Sequence, residues 1–162
     1  MTGKTHLTGG LALCVAADTF WLTNSATPIY YVAGMAGALI PDICHIHSKI
    51  GRRLPLLSRV ISSLFGHRTF THSLLFLAIW ALIFYLFFGD YLMVRDGLML
   101  GMISHILLDA TTIRGVRLFY PLNIRFRLPL YIRTGGAIER VIFFGLSIFI
   151  LFYSIETIIK WL

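Results

Sequence analysis

Charged residues are scarce in this chain, and their scarcity excludes an ordinary water-soluble domain. Only 13% of the 162 residues are Asp, Glu, Lys or Arg, whereas 57% are hydrophobic, and the mean hydropathy is +0.81. A soluble domain is typically about a quarter charged and about half apolar. The composition therefore predicts a membrane protein, and the length is sufficient for one integral membrane domain, residues 1–162.

Cysteine and acidic residues are also few. The two cysteines, Cys14 and Cys44, provide no disulfide framework. Seven acids against 14 Lys and Arg leave a net charge of +7. Basic loops arise from membrane topology alone, so topology is the first explanation of this charge. Binding of anionic headgroups or phosphate-bearing substrates is the second, and no nucleic-acid partner is expected.

Five apolar segments are long enough to predict membrane-embedded helices, which gives an all-α polytopic fold. The first two are short and rich in Gly and Ala, so they either pack centrally or do not fully span the bilayer. A cleaved signal peptide is disfavoured because Asp18 interrupts the first segment and no A-x-A site follows. The segments cover residues 5–22, 28–44, 73–88, 91–110 and 137–159.

The connections between these segments alternate in charge. The second connection and the fourth are rich in Lys and Arg, whereas the turn at 23–27 and the turn at 89–90 contain neither. Cytoplasmic loops of membrane proteins carry the excess of Lys and Arg. The N-terminus and both long loops are therefore predicted to be cytoplasmic, and the C-terminus external.

All of the histidines lie toward the predicted cytoplasmic ends of the segments, together with three acids. Ionisable groups at membrane depth cost free energy and usually mark a functional site. This arrangement predicts a metal site on the cytoplasmic face. The residues are His6, His45, His47, His67, His72, His105, Asp42, Asp109 and Glu139.

A divalent transition metal suits these side chains, with zinc preferred over manganese. His105 and Asp109 lie four residues apart, on one helical face, where both can reach a shared ion. The candidates outnumber the ligands of one catalytic zinc, which predicts either two ions or one ion with catalytic groups. Asp109 or Glu139 is the expected proton acceptor. The predicted metal ligands are His6, Asp42, His67, His72, His105, Asp109 and Glu139.

Several of these residues also have simpler explanations. His105 and Asp109 could form a structural hydrogen-bonded pair, and Asp42 could end its helix. Glu139 could be a first-turn acid favoured by the helix dipole. Thr71 or Ser73 is most simply an N-cap for the third segment, and a nucleophilic role for Ser73 is disfavoured. No one of these explanations accounts for all of the histidines and acids together.

At these positions the chain resembles the YdjM-like family of bacterial inner-membrane proteins, also called LexA-binding inner membrane-associated hydrolases. The family is described as metal-dependent hydrolases, so the resemblance implies a multi-pass protein of the bacterial inner membrane. In the family pattern P-D-x-D-H, Cys44 replaces the second Asp. Either that position is not an essential ligand, or a thiolate has replaced a carboxylate, which would favour zinc. Cys44 and His45 are therefore additional candidate ligands. The matching motifs are Thr5-His6 with Gly9, PDICH (41–45), HRTFTHS (67–73), SHILLDATTIRG (104–115) and GGAIE (135–139).

The residues and the resemblance together predict hydrolysis of a phosphoester in a membrane lipid or another anionic, phosphorylated amphiphile. Arg68 and Arg114 lie beside the motifs and could bind phosphate oxygens bidentately. One rival is a metal-stabilised scaffold or regulator that binds a cytoplasmic protein partner through its basic loops. A transporter is disfavoured because the middles of the third and fifth segments carry no charge.

Overall fold

The helices of the computed structural model differ sharply in length. The structure describes residues 1–22, 26–66, 68–87 and 89–161, with side chains up to residue 155; these ranges contain helices and isolated β-bridges but no strands. The α-helices are α1 (Gly3–Phe20), α2 (Pro28–Gly37), α3 (Pro55–Phe65), α4 (Leu74–Phe87), α5 (Leu92–Ala110) and α6 (Ala137–Trp161), and 3-10 helices cover Ile40–Cys44 and Phe70–His72.

The second predicted segment is not one continuous helix. α2 ends at Gly37, and a 3-10 helix covers Ile40–Cys44. Pro41 explains the break, since it has no N–H to donate and its ring would clash with the carbonyl group of residue 37 in an α-helix. At about 1.5 Å per residue, α2 covers about half of a bilayer's hydrocarbon core. The second segment is therefore a short α-helix followed by a 3-10 helix, and whether it fully spans the bilayer stays a prediction.

The other four predicted segments each correspond to one helix, namely α1, α4, α5 and α6, although position 88 lies outside the described residues. By length and composition, only one described helix could cross a membrane, through its stretch Ala137–Ile155, with a mean hydropathy of 1.9. The number of five spans stays a prediction. α3 was not predicted; it lies inside the first basic loop and exposes Leu56, Val60 and Leu64 along one stripe.

Small residues let α5 pack at the centre of the bundle, against both α1 and α2. A Cβ atom at Gly101 would collide with the carbonyl oxygen of Gly34, and one at Gly37 would collide with the carbonyl oxygen of Leu98. The backbones of α2 and α5 therefore touch directly. The Gly- and Ala-rich composition of the second segment produces this close approach.

Two helices, α4 and α6, expose many large apolar side chains on the outer surface of the bundle. Only 6% of the apolar stretch of α6 is buried, and Val141, Phe144, Ile148 and Phe152 are all more than half exposed. α4 likewise exposes large aliphatic and aromatic side chains at its C-terminal end. A contiguous exposed apolar surface of this kind marks contact with a membrane or another protein.

Replacing Gly101 with Ala should destabilise the bundle, because the added methyl group meets backbone atoms of α2 that cannot move aside. Overpacking of this kind costs about 1–3 kcal/mol. Thermal unfolding in detergent, followed by circular dichroism, should show a lower Tm. Gly145→Ala in α6 is the matched control, since a Cβ atom there meets nothing within 4 Å. An unchanged Tm for Gly101→Ala would contradict the packing described.

Candidate metal centre

Four buried side chains from separate parts of the chain meet at one point. His6 lies in the first turn of α1, His72 ends the second 3-10 helix, and His105 and Asp109 lie one turn apart on α5. All four are at most 1% exposed. Asp42, in the first 3-10 helix, approaches from the side and is partly exposed. The structure thus brings five of the predicted ligands together.

His72, His105 and Asp109 form a triangle of potential ligand atoms. The two Nε2 atoms lie 3.2 Å apart, and Asp109 Oδ2 lies 3.4 Å from His72 Nε2 and 3.8 Å from His105 Nε2. The point in their plane that is equidistant from the three atoms is about 2.0 Å from each, which is the usual distance from zinc to nitrogen or oxygen ligands. The triangle therefore fits a first-row transition metal.

Hydrogen bonding fixes which nitrogen of each ring can bind an ion. His105 Nδ1 lies 2.7 Å from the carbonyl oxygen of Ala38, which only accepts, so Nδ1 carries the proton. The neutral ring then has a lone pair on Nε2, facing the triangle. An ion-binding histidine commonly donates its other N–H to a carbonyl or carboxylate in this way.

A chain of hydrogen bonds through Cys44 and Thr71 orients the ring of His72 so that its Nε2 also faces the triangle. Cys44 Sγ donates to the Pro41 carbonyl at 3.5 Å, and the Thr71 hydroxyl donates to Cys44 Sγ at 3.1 Å. The Thr71 oxygen is then the acceptor for His72 Nδ1, 3.0 Å away. In the neutral form of His72, Nε2 then has a lone pair that faces the lone pair of His105. Two lone pairs at this distance repel each other unless a cation lies between them.

His6 and Asp42 form a second group of potential ligands with His105. The rings of His6 and His105 stack with their centroids 3.6 Å apart and their planes 10° from parallel. His6 Nε2 lies 3.3 Å from Asp109 Oδ1, and Asp42 Oδ1 lies 3.8 Å from His105 Nε2. Neither nitrogen of His6 has a hydrogen-bond partner among the described residues, although both are buried. Such orphaned polar atoms call for a ligand.

Two cations contact the buried carboxylate of Asp109. The amino group of Met1 donates to Oδ1, and Arg68 Nη2 lies 2.9 Å from Oδ2. Arg68 also donates from Nη1 to Thr112 at 2.9 Å, which fixes the orientation of the guanidinium group. Burial alone would lower the pKa of His72, but its hydrogen bonds to Asp109 and Cys44 raise it to about 9, so without a metal ion a proton takes the place between the two Nε2 atoms at neutral pH. The negative charge of Asp109 thus attracts positive groups from the start of the chain, from Arg68 and from His72.

Glu139 lies apart from this cluster and cannot serve as expected without losing its partners. Its Oε1 accepts from the Thr2 amide at 2.6 Å and from the Thr5 hydroxyl at 2.7 Å, and its Oε2 accepts from the Gly135 amide at 2.6 Å. Gly135 has a φ of 78°, a conformation that favours glycine. Glu139 therefore ties the start of α1, with His6, to the start of α6. Glu139 belongs to neither group of potential ligands, and its role as ligand or proton acceptor stays a prediction.

A cavity of about 370 Å³ opens beside the cluster, and both predicted phosphate-binding arginines, Arg68 and Arg114, line it. Asp42 and His45 also line it, so His45 belongs to its wall and not to either ligand group. Cys44 likewise lies behind His72 and outside both groups. The predicted ligand His67 lies outside the described residues.

Sequence reasoning missed the residues that support the ligands. Thr71 was interpreted only as a helix cap, although it holds His72 by Nδ1. The carbonyl group of Ala38 and the amino group of Met1 carry no signal in a sequence pattern. Thr112 and Arg133 also reach the site or its cavity. Polar residues of the SHILLDATTIRG motif that follow Asp109 were the available signal.

The fold and the site define an all-helical protein with an apolar outer surface and an inward cluster of candidate metal ligands. Residues 1–161 match the family described as YdjM inner membrane protein, and the chain belongs to this family. It is 50% identical over 154 residues to the uncharacterized protein YvsG of Bacillus subtilis (strain 168), covering 94% of each chain. It is 38% identical over 159 residues to inner membrane protein YdjM of Escherichia coli (strain K12), covering 91% of this chain and 80% of the relative. No solved structure matches the chain significantly.

Removing the Thr71 hydroxyl should weaken ion binding without removing a ligand, because this hydroxyl and Cys44 support the Nδ1 side of the His72 ring. Loss of such a supporting partner typically lowers metal affinity about 10–100-fold. Thr71→Val should show this loss in zinc competition titrations, whereas Cys44→Asp should bind nearly normally, since a carboxylate can accept from Thr71. Cobalt-substituted protein provides the control: a thiolate-to-cobalt charge-transfer band that disappears in Cys44→Ala would show instead that Cys44 is a ligand.

Proposed function

We propose that this protein is a metal-dependent hydrolase of the bacterial inner membrane that cleaves a phosphoester in a lipid or lipid-linked substrate. The observation that carries the proposal is the triangle of His72, His105 and Asp109, buried on one side and bordered by an arginine-lined cavity on the other. A structural zinc site is closed by four protein ligands, whereas a catalytic site keeps a position open.

The donor set supports zinc or manganese, with zinc preferred. Two imidazoles and a carboxylate, each with an inward lone pair, are a known catalytic zinc complement. Asp109 could also bridge two ions, because its Oδ2 faces His72 while its Oδ1 faces His6. Asp42 would then complete the second ion's ligands together with His6. Occupancy by two ions is the arrangement that phosphoester-cleaving enzymes use to bind attacking and leaving oxygens.

The cavity supports a phosphorylated substrate. Arg68 is held by Asp109 and Thr112, so its guanidinium group is already ordered before a ligand arrives. Arg114 is exposed on the same wall. Arginine forks match phosphate oxygens bidentately, and ordered cations stabilise the charge that develops on those oxygens in the transition state. The basic wall thus favours a phosphoester over an uncharged ester or a peptide.

In the proposed reaction, a water molecule attacks phosphorus, the P–O bond to the alcohol breaks, and the alcohol takes up a proton. A bound divalent ion would lower the pKa of the attacking water and polarise the phosphoryl group. Arg68 and Arg114 would orient the phosphate. Asp42 lies between the cluster and the cavity and would accept the water's proton where it does not bind an ion.

We further propose that the site faces the cytoplasm in a multi-pass arrangement. The basic connections support this orientation, and the exposed apolar surfaces of α4 and α6 support contact with lipid. Single cysteines placed at Arg53 and Arg125 in a cysteine-free background should react with a membrane-permeable maleimide but not with an impermeable one in intact cells. A cysteine at Asp90, in the opposite turn, should react with both. Reversed labelling would move the site to the outer face.

Purified protein should release phosphate or a phosphorylated headgroup from an anionic lipid. Activity should disappear with chelator and return with zinc or manganese. Asp109→Asn should lose bound metal and at least about 100-fold in turnover, because it removes the carboxylate charge of the triangle, which also contacts His6. Elemental analysis and phosphate release from phospholipids and polyprenyl phosphates are the measurements.

Asp18→Asn is the matched control for that variant. Asp18 is also a buried acid, but it accepts from the Tyr31 hydroxyl at 2.5 Å and from the Ala26 amide at 3.0 Å, away from the cluster. An amide can keep both contacts, so metal content and turnover should stay normal. Metal-loaded protein without turnover on the full lipid panel would favour a metal-stabilised scaffold that binds a cytoplasmic partner.

A further inference from the structure

We propose that a second cavity beside the candidate metal centre binds a second phosphoryl group, so that the preferred substrate is a diphosphate. The inference rests on the proposed function, because it extends the same site by one phosphoryl group. The second cavity has a volume of about 320 Å³. It is lined by Arg68, Arg114, Gly115, Val116, Arg117 and Arg125.

The two cavities share a wall. Arg68 and Arg114 line both, so a ligand bound at the metal side lies next to the second cavity. Arg68 has a φ of 59°, which is uncommon for a residue with a side chain. Its carbonyl oxygen accepts from the Arg117 amide at 3.3 Å, and its side chain is held by Asp109. This residue therefore fixes the boundary between the two cavities.

Three of the four arginines that line the second cavity lack a compensating carboxylate. Within the described part of the chain, Arg68 is paired with Asp109, whereas Arg114, Arg117 and Arg125 have no carboxylate within ion-pair distance. The residues that line the cavity include four arginines and no acid. Like charges placed together repel, so an anion that enters this space would relieve the repulsion as well as form hydrogen bonds.

Backbone pairing holds two of these charges opposite each other. Val116 and Phe126 form an antiparallel bridge, with N–H to oxygen distances of 3.0 and 2.8 Å. In that register Arg117 stands across from Arg125, an arrangement that is destabilising for like charges without a ligand. Gly115 permits the close approach, since a Cβ atom there would lie 2.6 Å from the Phe126 carbonyl oxygen. The pairing is thus a local structure that concentrates positive charge.

A diphosphate fits the two cavities better than a single phosphate. One phosphoryl group would contact the wall formed by Arg68 and Arg114 beside the metal ligands. The second, linked through one bridging oxygen, would contact Arg117 and Arg125. A single phosphate offers too few oxygens to engage four guanidinium forks and the metal ligands at once. The shared chemistry is a diphosphate ester, either of a soluble alcohol or of a membrane amphiphile, and the P–O bond to the alcohol is the bond that breaks, with diphosphate released.

Isothermal titration of the purified full-length protein with methylenediphosphonate and with methylphosphonate tests the inference, since neither is a substrate. In chelator-treated protein, the diphosphonate should bind at least about tenfold more tightly, because it makes additional charged hydrogen bonds. Arg117→Gln and Arg125→Gln should each lower that affinity about tenfold. Arg59→Gln, on exposed α3 outside both cavities, removes the same charge and should have no effect. Equal affinity for both ligands, or variants that match Arg59→Gln, would overturn the inference.

Two further comparisons distinguish the two sources of the diphosphate, and they distinguish failure of the second subsite from failure of the proposed hydrolase function. A prenyl diphosphate that binds more tightly than inorganic pyrophosphate identifies an amphiphile, and equal affinities identify the ester of a soluble alcohol; both support the second subsite. Selective diphosphonate binding without metal-dependent turnover would count against the hydrolase alone. Turnover of lipid monophosphates that is insensitive to Arg117→Gln, with no preference for diphosphates, would count against the subsite alone. A normal Tm for each variant establishes that it is folded.

Discussion

The buried negative charge of Asp109 is the constraint on which the site depends. A carboxylate in a dry interior costs several kcal/mol unless it is paired. Its partners come from the start of the chain, from α1, from the second 3-10 helix and from the loop around Arg68. These segments are far apart in sequence, and the contact of each with the carboxylate stabilises its position against α5. Because its neighbours are two cations and three imidazoles, exchange of a cation for a metal ion needs no change of fold.

The interruption of α2 matters as much as the ligands themselves. Had the helix continued through Pro41, the carbonyl group of Ala38 would accept an intrahelical bond from a residue one turn later. The break frees that carbonyl to accept from His105 at 2.7 Å. Glycines bring α2 close enough to α5 for this bond to form. A feature that shortens the helix below membrane-spanning length thereby orients a ligand.

Part of this arrangement could be predicted from patterns in the sequence, because some patterns determine the relative positions of side chains directly. The four-residue spacing of His105 and Asp109 gives one helical face whatever the tertiary structure is. The apolar length of α6 likewise defines a helix that can span a membrane. The hydrogen-bond partners of Glu139, in contrast, could not be predicted. Its hydrogen bonds go to backbone amides and to Thr5, and no sequence pattern shows which donors lie nearby.

The separation of Cys44 from the ligand groups shows a different limit of sequence reasoning. A residue type with metal affinity, in a motif with other ligands, is indistinguishable in sequence from a residue that holds a ligand in place. Only the relay from Pro41 through Cys44 and Thr71 to His72 separates the two roles. It also explains how Cys can replace Asp at this position, since either side chain can accept from Thr71.

Glu139 also determines the depth at which the proposed chemistry would occur. It lies in the first turn of α6, the described helix that is long and apolar enough to span a bilayer. Through Thr2 and Thr5 it connects that first turn to the start of α1, where His6 lies. The cluster of candidate ligands is therefore held level with the end of the helix that is long enough to span a bilayer, and not with its middle. In the proposed function, the headgroup of a phosphorylated amphiphile would enter the arginine-lined cavity at that depth while its chains stayed beside the apolar surface of α6, so the lipid would need no extraction from the membrane to reach the site.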